Sequence, residues 1–155
     1  MSTLIGQSVL TDELCYMIIG DLAFYYDMNS LGIRHIKNNL RIIIINNNGG
    51  VEFKLNDRDH VITDKYIAAA NHYKCAKGWA EDCGFNYVAV RSKDELLQKK
   101  DILIKKSDHP IVMEIFVTDS DDYIGYKTIV EANKEETMGE KMKKMKKELS
   151  KLIRH

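Results

Sequence analysis

The sequence predicts an α/β fold, a doubly wound, Rossmann-like and mostly parallel sheet with helices on both faces. Short apolar segments alternate along the chain with longer stretches whose apolar residues recur at helical spacing, which is typical of strand–helix–strand units. The strongest strand signal, Leu40 to Ile45, contains four successive Ile, as expected for a central parallel strand covered on both faces. At 155 residues the chain, 1–155, fits a single domain.

The first half of the chain yields two strands and two helices. Residues 1–10 indicate a helix with Leu4, Ile5 and Val9 on one side. Residues 14–19 predict a buried strand that ends in Gly-Asp, and residues 40–45 predict the next strand, which ends in the loop 46–50. Between the strands we expect a helix over residues 23–38, with one apolar face formed by Phe24, Met28, Leu31 and His35.

The second half continues the alternation. Residues at helical spacing predict a helix that Gly84 closes, namely Ala69, Tyr73, Ala76, Ala80 and Cys83. Residues 86–90 predict a third strand, and Pro110 opens a fourth over residues 111–117. Between these strands, Ser92 and Glu95 form a capping-box pattern for a helix that extends to about Lys100.

The chain after about Asp121 is helical in pattern and highly charged. Within it, residues 134–155 predict a charged amphipathic helix with an apolar stripe of Met138, Met142, Met145, Leu149 and Leu152. The Lys-rich face fits a terminal helix packed on the domain or on a second chain better than a membrane-surface helix. The acidic run 119–122 is interpreted as helix capping and not as a cation loop.

Composition excludes several classes of function. The formal net charge is zero, which gives no support for nucleic-acid binding through phosphate contacts. The three Cys have no metal-ligand spacing and are interpreted as reduced thiols, as in a cytoplasmic protein. No apolar run approaches the length that crosses a bilayer, so we expect no membrane partner.

Polar residues follow the first two predicted strands at the points where they end. Asp21 follows the first strand, and the run Asn46-Asn47-Asn48-Gly49-Gly50 follows the second. In a parallel sheet the carboxyl ends of adjacent strands form the usual ligand crevice. Carboxylate, amide and carbonyl oxygens are hard donors that suit Mg²⁺ when it also holds phosphates. The segment therefore predicts a metal–diphosphate site.

These residues resemble the signature of the thiamine-diphosphate-dependent enzymes, which begins with Gly-Asp, continues through a helix and a buried strand, and closes on Asn-Asn. The Leu22 variant of the signature, with Tyr26-Asp27-Met28-Asn29, is most similar to the branch that contains the menaquinone-pathway synthase and acetolactate synthase. The resemblance covers nearly the whole chain, and it implies that this is the carboxyl-terminal, diphosphate-binding domain of such an enzyme.

The resemblance also implies a set of site residues. Mg²⁺ would be bound by the Asp21 carboxylate, the Asn47 side chain and the Gly49 carbonyl. The triple Asn leaves a second register open, in which Asn48 and Gly50 take those roles. Thiamine diphosphate would be held by Gly20, Asp21, Leu22, Ala23, Asn47, Gly49 and Gly50, with backbone N–H groups of Leu22 and Ala23 directed at the phosphates.

The same resemblance implies what the chain lacks. In this family a separate pyrimidine-binding domain supplies the Glu that activates the cofactor, so Glu13, Glu52, Glu81 and Glu114 are interpreted as surface or core-edge carboxylates. We predict no catalytic residue in this chain and expect it to be inactive alone. The pyrimidine-binding domain would lie in the same full-length chain or in a separate subunit, and the complete enzyme would be a homo-oligomer acting on a 2-oxo acid as a decarboxylase or carboligase.

An alternative of a different class stays open from the residues alone. A noncatalytic Rossmann-like domain that binds a partner through its terminal helix would have the same strand and helix pattern. Of the five His, only His72 is a candidate for contact with a substrate, because its predicted helix follows the cofactor loop.

Overall fold

The computed structural model describes residues 1–54 and 71–134. It contains a four-stranded, all-parallel sheet in the order β1-β2-β4-β3, which confirms the predicted α/β, Rossmann-like class. The strands are β1 (Cys15–Gly20), β2 (Leu40–Asn46), β3 (Asn86–Val90) and β4 (Ile111–Phe116). The helices are α1 (Ser2–Val9), α2 (Asp21–Asp27), α3 (Val51–Lys54), α4 (Lys77–Asp82), α5 (Lys93–Lys99) and α6 (Asp119–Ala132). Two 3₁₀ helices, Met28–Gly32 and Lys100–Leu103, continue α2 and α5.

The register of the sheet places the ends of three strands side by side. Gly20, the last residue of β1, pairs with Ile45 of β2, and Asn46 pairs with Phe116 of β4. Because the strands are parallel, Asp21, the loop after Asn46 and the turn after β4 all leave the same edge of the sheet. This edge is the predicted location of the site.

One face of β2 builds the hydrophobic core. Leu40, Ile42 and Ile44 are fully buried and belong to one apolar cluster with Ile5 of α1 and Phe24 of α2. Strand side chains alternate between faces, so the residues between them lie on the opposite side. The four-Ile segment was thus correctly predicted to be a central strand.

The opposite face of β2 carries a buried charge at the amino end of the sheet. Arg41 has no exposed surface, and its Nε and Nη2 donate to the carbonyls of Leu103 and Lys105 at 3.2 and 2.8 Å. Its Nη1 donates to the carbonyls of Asn38 and Leu40 at 2.6 and 3.0 Å. Four neutral acceptors thus surround this guanidinium, and they tie β2 to the 3₁₀ helix that follows α5.

The predicted helix over residues 23–38 is wrong in both bounds. It begins at Asp21, because Gly20 is the extended residue that precedes it, and it tightens into the 3₁₀ helix at Met28. Ser30 contributes to this change, since its hydroxyl lies within hydrogen-bonding distance of both the backbone carbonyl and the carboxylate of Asp27. Ile33 is extended, and His35 is exposed and outside any helix, so it does not extend the apolar face as predicted.

The helix predicted to begin near Ala69 begins later. Ala69 lies outside the described residues, and Tyr73 has a φ of +52°, which no helix accommodates. The helix α4 begins at Lys77, and Gly84, with φ +84°, closes it as predicted. Ala80 is buried in the core as the spacing indicated.

The bounds of the remaining predicted elements agree with the structure within a residue or two, but the prediction that the first strand is buried is wrong, because one face of β1 is exposed, with Ile18 at 73%. The capping interaction of α5 is present, with the Glu95 N–H donating to the Ser92 hydroxyl at 3.2 Å. The last helix begins at Asp119, and Thr118 caps it by accepting from the Asp121 N–H at 3.1 Å. The acidic run therefore forms a first helical turn, as predicted. The charged amphipathic helix predicted over residues 134–155 lies outside the described residues, apart from Lys134.

By its internal contacts the chain divides into two compact units, Met1–Tyr123 and Ile124–His155. The sheet and every predicted site residue belong to the first unit. Within the described part of the chain, no helix is both long enough and apolar enough to cross a membrane.

Candidate functional site

Asp21 is buried at the carboxyl end of β1. The residue is only 2% exposed and begins α2, so its carboxylate lies at the amino end of a helix. Its Oδ1 accepts from the Leu22 N–H at 2.7 Å, and its Oδ2 lies 2.9 Å from Nε2 of His72. A buried carboxylate held by two donors has a fixed orientation, which is what a metal ligand requires.

The loop after β2 is held by its own Asn side chains. Oδ1 of Asn46 accepts from the Asn48 N–H at 2.9 Å, and Oδ1 of Asn47 accepts from the Gly49 N–H at 3.2 Å. Asn48 has a φ of +69°, a conformation that Asn tolerates better than most residues. Gly49 and Gly50 are buried, and the Gly50 carbonyl accepts from the Phe53 N–H at 3.1 Å. The Asn-rich sequence thus folds into two consecutive side-chain-stabilised turns.

The segment 72–74 bonds both to Asp21 and to this loop. The His72 N–H donates to the Asn48 carbonyl at 3.2 Å, and the Tyr73 N–H donates to Oδ1 of Asn48 at 2.6 Å. The imidazole of the same His72 contacts Asp21. One short segment therefore joins the two strand ends that the sequence predicted to form the site.

A second buried carboxylate lies behind the loop. Glu114 of β4 is fully buried, and its Oε1 accepts from Nδ2 of Asn46 at 2.7 Å. Its Oε2 accepts from the Ala76 N–H at 3.0 Å and from the Tyr87 hydroxyl at 2.6 Å. The interpretation of Glu114 as a surface or core-edge carboxylate is therefore wrong. The signal in the sequence was a single carboxylate within an otherwise apolar strand.

Two tyrosines near this carboxylate remain protonated. Burial, together with the hydrogen bond to Glu114, raises the pKa of Tyr87 well above its usual range. Burial and the nearby charge of Glu114 raise the pKa of Tyr25 in the same direction. The Tyr25 ring packs edge-on against His72 at 5.1 Å, and its buried hydroxyl has no hydrogen-bond partner among the described residues.

The first turn of α6, which follows β4, also reaches the loop. Nδ2 of Asn47 donates to Oδ2 of Asp122 at 2.9 Å, which fixes which way the Asn47 amide faces. In residues 1–54 and 71–134, no three His, Cys, Asp or Glu side chains converge as a metal-binding group. A cation at this edge would therefore depend on Asp21 together with amide and backbone oxygens.

The other predicted cofactor residues lie where the sequence placed them. Gly20 precedes α2, and Leu22 and Ala23 occupy its first turn. The Leu22 N–H, which the resemblance directs at a phosphate, donates to the Asp21 carboxylate in this structure. Space is open around the position that a Gly20 side chain would occupy.

Comparison with known proteins identifies relatives over most of the chain. The chain is 38% identical over 126 residues to the 2-succinyl-5-enolpyruvyl-6-hydroxy-3-cyclohexene-1-carboxylate synthase of Bacteroides thetaiotaomicron, covering 79% of this chain. It is 36% identical over 125 residues to the synthase of the same name from Phocaeicola vulgatus, and 35% identical over 118 residues to that of Christiangramia forsetii. The chain belongs to the family of these synthases. The resemblance drawn from residues 20–50 is thereby confirmed.

The matched region is a limited part of each relative. The chain spans 22% of the length of the Bacteroides thetaiotaomicron and Phocaeicola vulgatus synthases and 20% of that of Christiangramia forsetii. No protein-family model matches the chain. The match therefore does not by itself assign the activity of a whole synthase to this chain.

Proposed function

We propose that this chain is the domain of a synthase that binds thiamine diphosphate and Mg²⁺, in an enzyme that forms or cleaves carbon–carbon bonds of a 2-oxo acid. The observation that carries the proposal is the buried Asp21 carboxylate at the end of β1, next to the Asn-rich loop that ends β2. The names of the relatives, all synthases of one carboxylate product, support it.

The donor chemistry at this edge fits Mg²⁺. Asp21 would contribute a carboxylate oxygen, Asn47 its side-chain oxygen and Gly49 its carbonyl, all hard donors of the kind that Mg²⁺ prefers. Mg²⁺ is usually held by few protein ligands together with phosphate oxygens and water, so three protein donors leave room for a diphosphate.

The contacts of the loop support Asn47 and Gly49 over the alternative register. Asn48 already uses its side-chain oxygen to accept the 2.6 Å bond from the Tyr73 N–H. The Gly50 carbonyl accepts from Phe53 at the start of α3. The Asn47 amide is oriented through its nitrogen by Asp122, and its oxygen accepts only the longer 3.2 Å bond from the Gly49 N–H, which leaves a lone pair for a cation.

The phosphates would lie at the first turn of α2. Gly20 allows close approach because nothing lies near its open side, and the N–H groups of Leu22 and Ala23 belong to the first turn, at the positive end of the helix. Gly50 would complete the cradle on the loop side. Binding of a diphosphate by the Leu22 N–H would require that it leave the Asp21 carboxylate.

Thiamine diphosphate, when bound, supplies the electron sink for carbon–carbon bond chemistry at a 2-oxo acid, and the protein positions it. The partner that completes the site would be a pyrimidine-binding domain, from the same full-length chain or from another subunit. Two exposed aromatic side chains beside the loop support such a contact, Phe53 at 51% and Tyr73 at 83% exposure. The complete enzyme would be a homo-oligomer, as the family resemblance implies, and cytoplasmic, as the interpretation of the three Cys as reduced thiols indicates.

Thermal unfolding tests the proposal. The chain is unfolded with Mg²⁺ and thiamine diphosphate, singly and together, beside Asp21→Ala and Asp21→Asn. Asp108→Ala serves as the matched control, because Asp108 is exposed and precedes β4 at the opposite edge of the sheet. A ligand at a hundred times its dissociation constant stabilises the folded state by about 2.7 kcal/mol.

The expected result is a joint shift in Tm that exceeds both single shifts, that disappears in the Asp21 variants and that persists in Asp108→Ala. If the chain alone shows no shift, the experiment is repeated with the unmatched portion of the Bacteroides thetaiotaomicron synthase added. No joint shift in either arrangement would overturn the proposal and favour a noncatalytic Rossmann-like domain.

A further inference from the structure

We propose that His72 is a positioning residue for the metal site, since it orients the Asp21 carboxylate with its imidazole and the Asn48 turn with its backbone. This inference rests on the proposed function. His72 lies 51 residues from Asp21 in the sequence. The sequence alone predicts that it contacts a substrate. The structure instead places it against a predicted metal ligand.

The hydrogen bonds of the ring fix its tautomer. Nδ1 of His72 accepts from the Lys74 N–H at 2.9 Å, so this nitrogen carries no proton. The proton of the neutral ring is therefore on Nε2, which donates to Oδ2 of Asp21 at 2.9 Å. The side chains of His72 and Asp21 are 10% and 3% exposed, so water competes little for this bond.

The ring is also held sterically and by its own chain segment. Tyr25 packs edge-on against it at 5.1 Å. The Lys74 carbonyl accepts from Nδ2 of Asn46 at 3.0 Å, and the Ala76 N–H donates to Glu114. These bonds hold residues 72–76 at both ends, so the backbone that carries the imidazole is fixed in position.

The contact leaves the Asp21 carboxylate able to bind a cation. A carboxylate has about four lone-pair positions, and the Leu22 N–H and His72 Nε2 use one on each oxygen. A second position on each oxygen remains. The arrangement matches the hydrogen-bonded carboxylates that surround metal ions in proteins, in which the outer partner fixes the orientation of the ligand.

The backbone of His72 acts on the second strand end at the same time. Its N–H donates to the carbonyl of Asn48, which has positive φ, and the next N–H occupies the side-chain oxygen of Asn48. These bonds hold Asn48 in the turn, so the neighbouring Asn47 is the residue whose amide oxygen would bind the metal. Both ligand-bearing strand ends are thus set in place by one residue before a metal arrives.

A competing arrangement predicts the opposite change in metal affinity when His72 is removed. If His72 occupied the position of the metal and had to leave, its removal would strengthen metal binding. Loss of an outer-shell orienting partner weakens metal affinity by about 10–100-fold. The direction of the change therefore separates positioning from blocking.

The experiment titrates Mn²⁺ into the full 155-residue chain with thiamine diphosphate present and measures free Mn²⁺ by electron paramagnetic resonance. The variants are His72→Ala, which removes the donor, and His72→Gln, whose terminal amide can donate to Oδ2 of Asp21. His35→Ala is the control, because His35 is exposed outside the helices and strands. Metal-free unfolding curves of each variant separate loss of affinity from loss of fold. The unmatched portion of the Bacteroides thetaiotaomicron synthase is added if the wild-type chain requires it.

We expect His72→Ala to bind Mn²⁺ about 10–100-fold more weakly than wild type, with His72→Gln restoring most of the affinity and His35→Ala unchanged. Equal or tighter binding by His72→Ala would overturn the inference while the proposed function stands. Equal weakening in both His72 variants would also overturn it, since a role in packing alone is not rescued by an amide donor. Failure of wild type to bind under both conditions would overturn the proposed function itself.

Discussion

The side-chain amide of Asn46 donates to the buried carboxylate of Glu114 across 2.7 Å, and this bond joins the last residue of β2 to the interior of β4. Asn46 thereby supports the loop that carries the candidate ligand Asn47. Its Oδ1 accepts from Asn48, and its Nδ2 also donates to Lys74. The strand ends, the loop and the segment after it form one hydrogen-bonded unit.

Glu114→Gln should destabilise this unit. The substitution places an NH₂ group either against Nδ2 of Asn46 or against the donors of Ala76 and Tyr87. Asn46 cannot reverse its amide without losing the bond from the Asn48 N–H. We expect the free energy of unfolding to fall by about 3 kcal/mol, because a buried donor loses its acceptor and faces another donor. Urea unfolding measures the change.

The matched control for that substitution is Tyr87→Phe. It removes one donor and leaves the Ala76 N–H with its acceptor, so we expect a loss of about 1 kcal/mol. If Glu114→Gln unfolds at the same urea concentration as wild type, the carboxylate does not support the loop.

Tyr25→Phe should be nearly neutral in the ligand-free protein. The hydroxyl is buried and has no hydrogen-bond partner in the described part of the chain, while the ring alone contacts Phe24 and His72. Removing an unpaired buried hydroxyl relieves a desolvation cost, so we expect a change between zero and about 1 kcal/mol of added stability. A loss of more than about 1 kcal/mol in urea unfolding would show that the hydroxyl has a partner.

Arg41→Lys should lower the free energy of unfolding by more than its conservative character suggests. The planar guanidinium bonds four backbone carbonyls, at the start of β2 and in the segment after α5, and an ammonium group on a flexible stem cannot reproduce that fork. Each buried carbonyl left unpaired costs about 1–3 kcal/mol. Arg34→Lys, at an exposed position, provides the comparison and should be neutral. Equal urea midpoints for the two variants would contradict the assigned role of Arg41.

The Asp27 carboxyl should titrate at unusually low pH. Hydrogen bonds from the Met1 amino group and the Ser30 hydroxyl lower its pKa from 3.8 to about 2. Because the pKa is lower in the folded state, its stabilising contribution is complete above 3.8 and is lost as the pH falls through about 2. An NMR titration of the carboxyl measures the value directly.

Two variants sharpen this prediction. Ser30→Ala should move the pKa of Asp27 back towards 3.8, and Asp27→Asn should flatten the dependence of stability on pH below that value. A wild-type pKa of 3.8 would show that neither donor favours the ionised carboxyl in solution.

The sequence predicts the sheet, and the edge of it at which the candidate residues lie, better than it predicts the helices. Ile42 to Ile45 identify a central strand because the residues on one face are buried and those on the other are half-buried. Asp21 and Asn47 follow the ends of adjacent strands, as parallel sheets require. The helix after Asp21 is shorter than its apolar spacing indicated, because a side-chain bond from Ser30 ends it early.

The contacts made by the segment 72–76 could not be predicted from local patterns. The spacing of Tyr73 and Ala76 favoured a helix, yet bonds to Asn48 and Asn46 hold residues 72–74 outside a helix, and α4 begins only after Ala76. These bonds join positions far apart in the sequence, and no periodicity encodes them. The role assigned to His72 therefore became visible only in three dimensions.

The most direct test of the account is a crystal structure of the chain grown with Mn²⁺ and thiamine diphosphate, with the metal located by its anomalous scattering. The account predicts one strong peak within coordination distance of an Asp21 carboxylate oxygen, Oδ1 of Asn47 and the Gly49 carbonyl, next to the diphosphate. A peak bound by Asn48 and Gly50 would correct the register while leaving the site in place. Bound cofactor with the metal away from Asp21 would contradict the central claim.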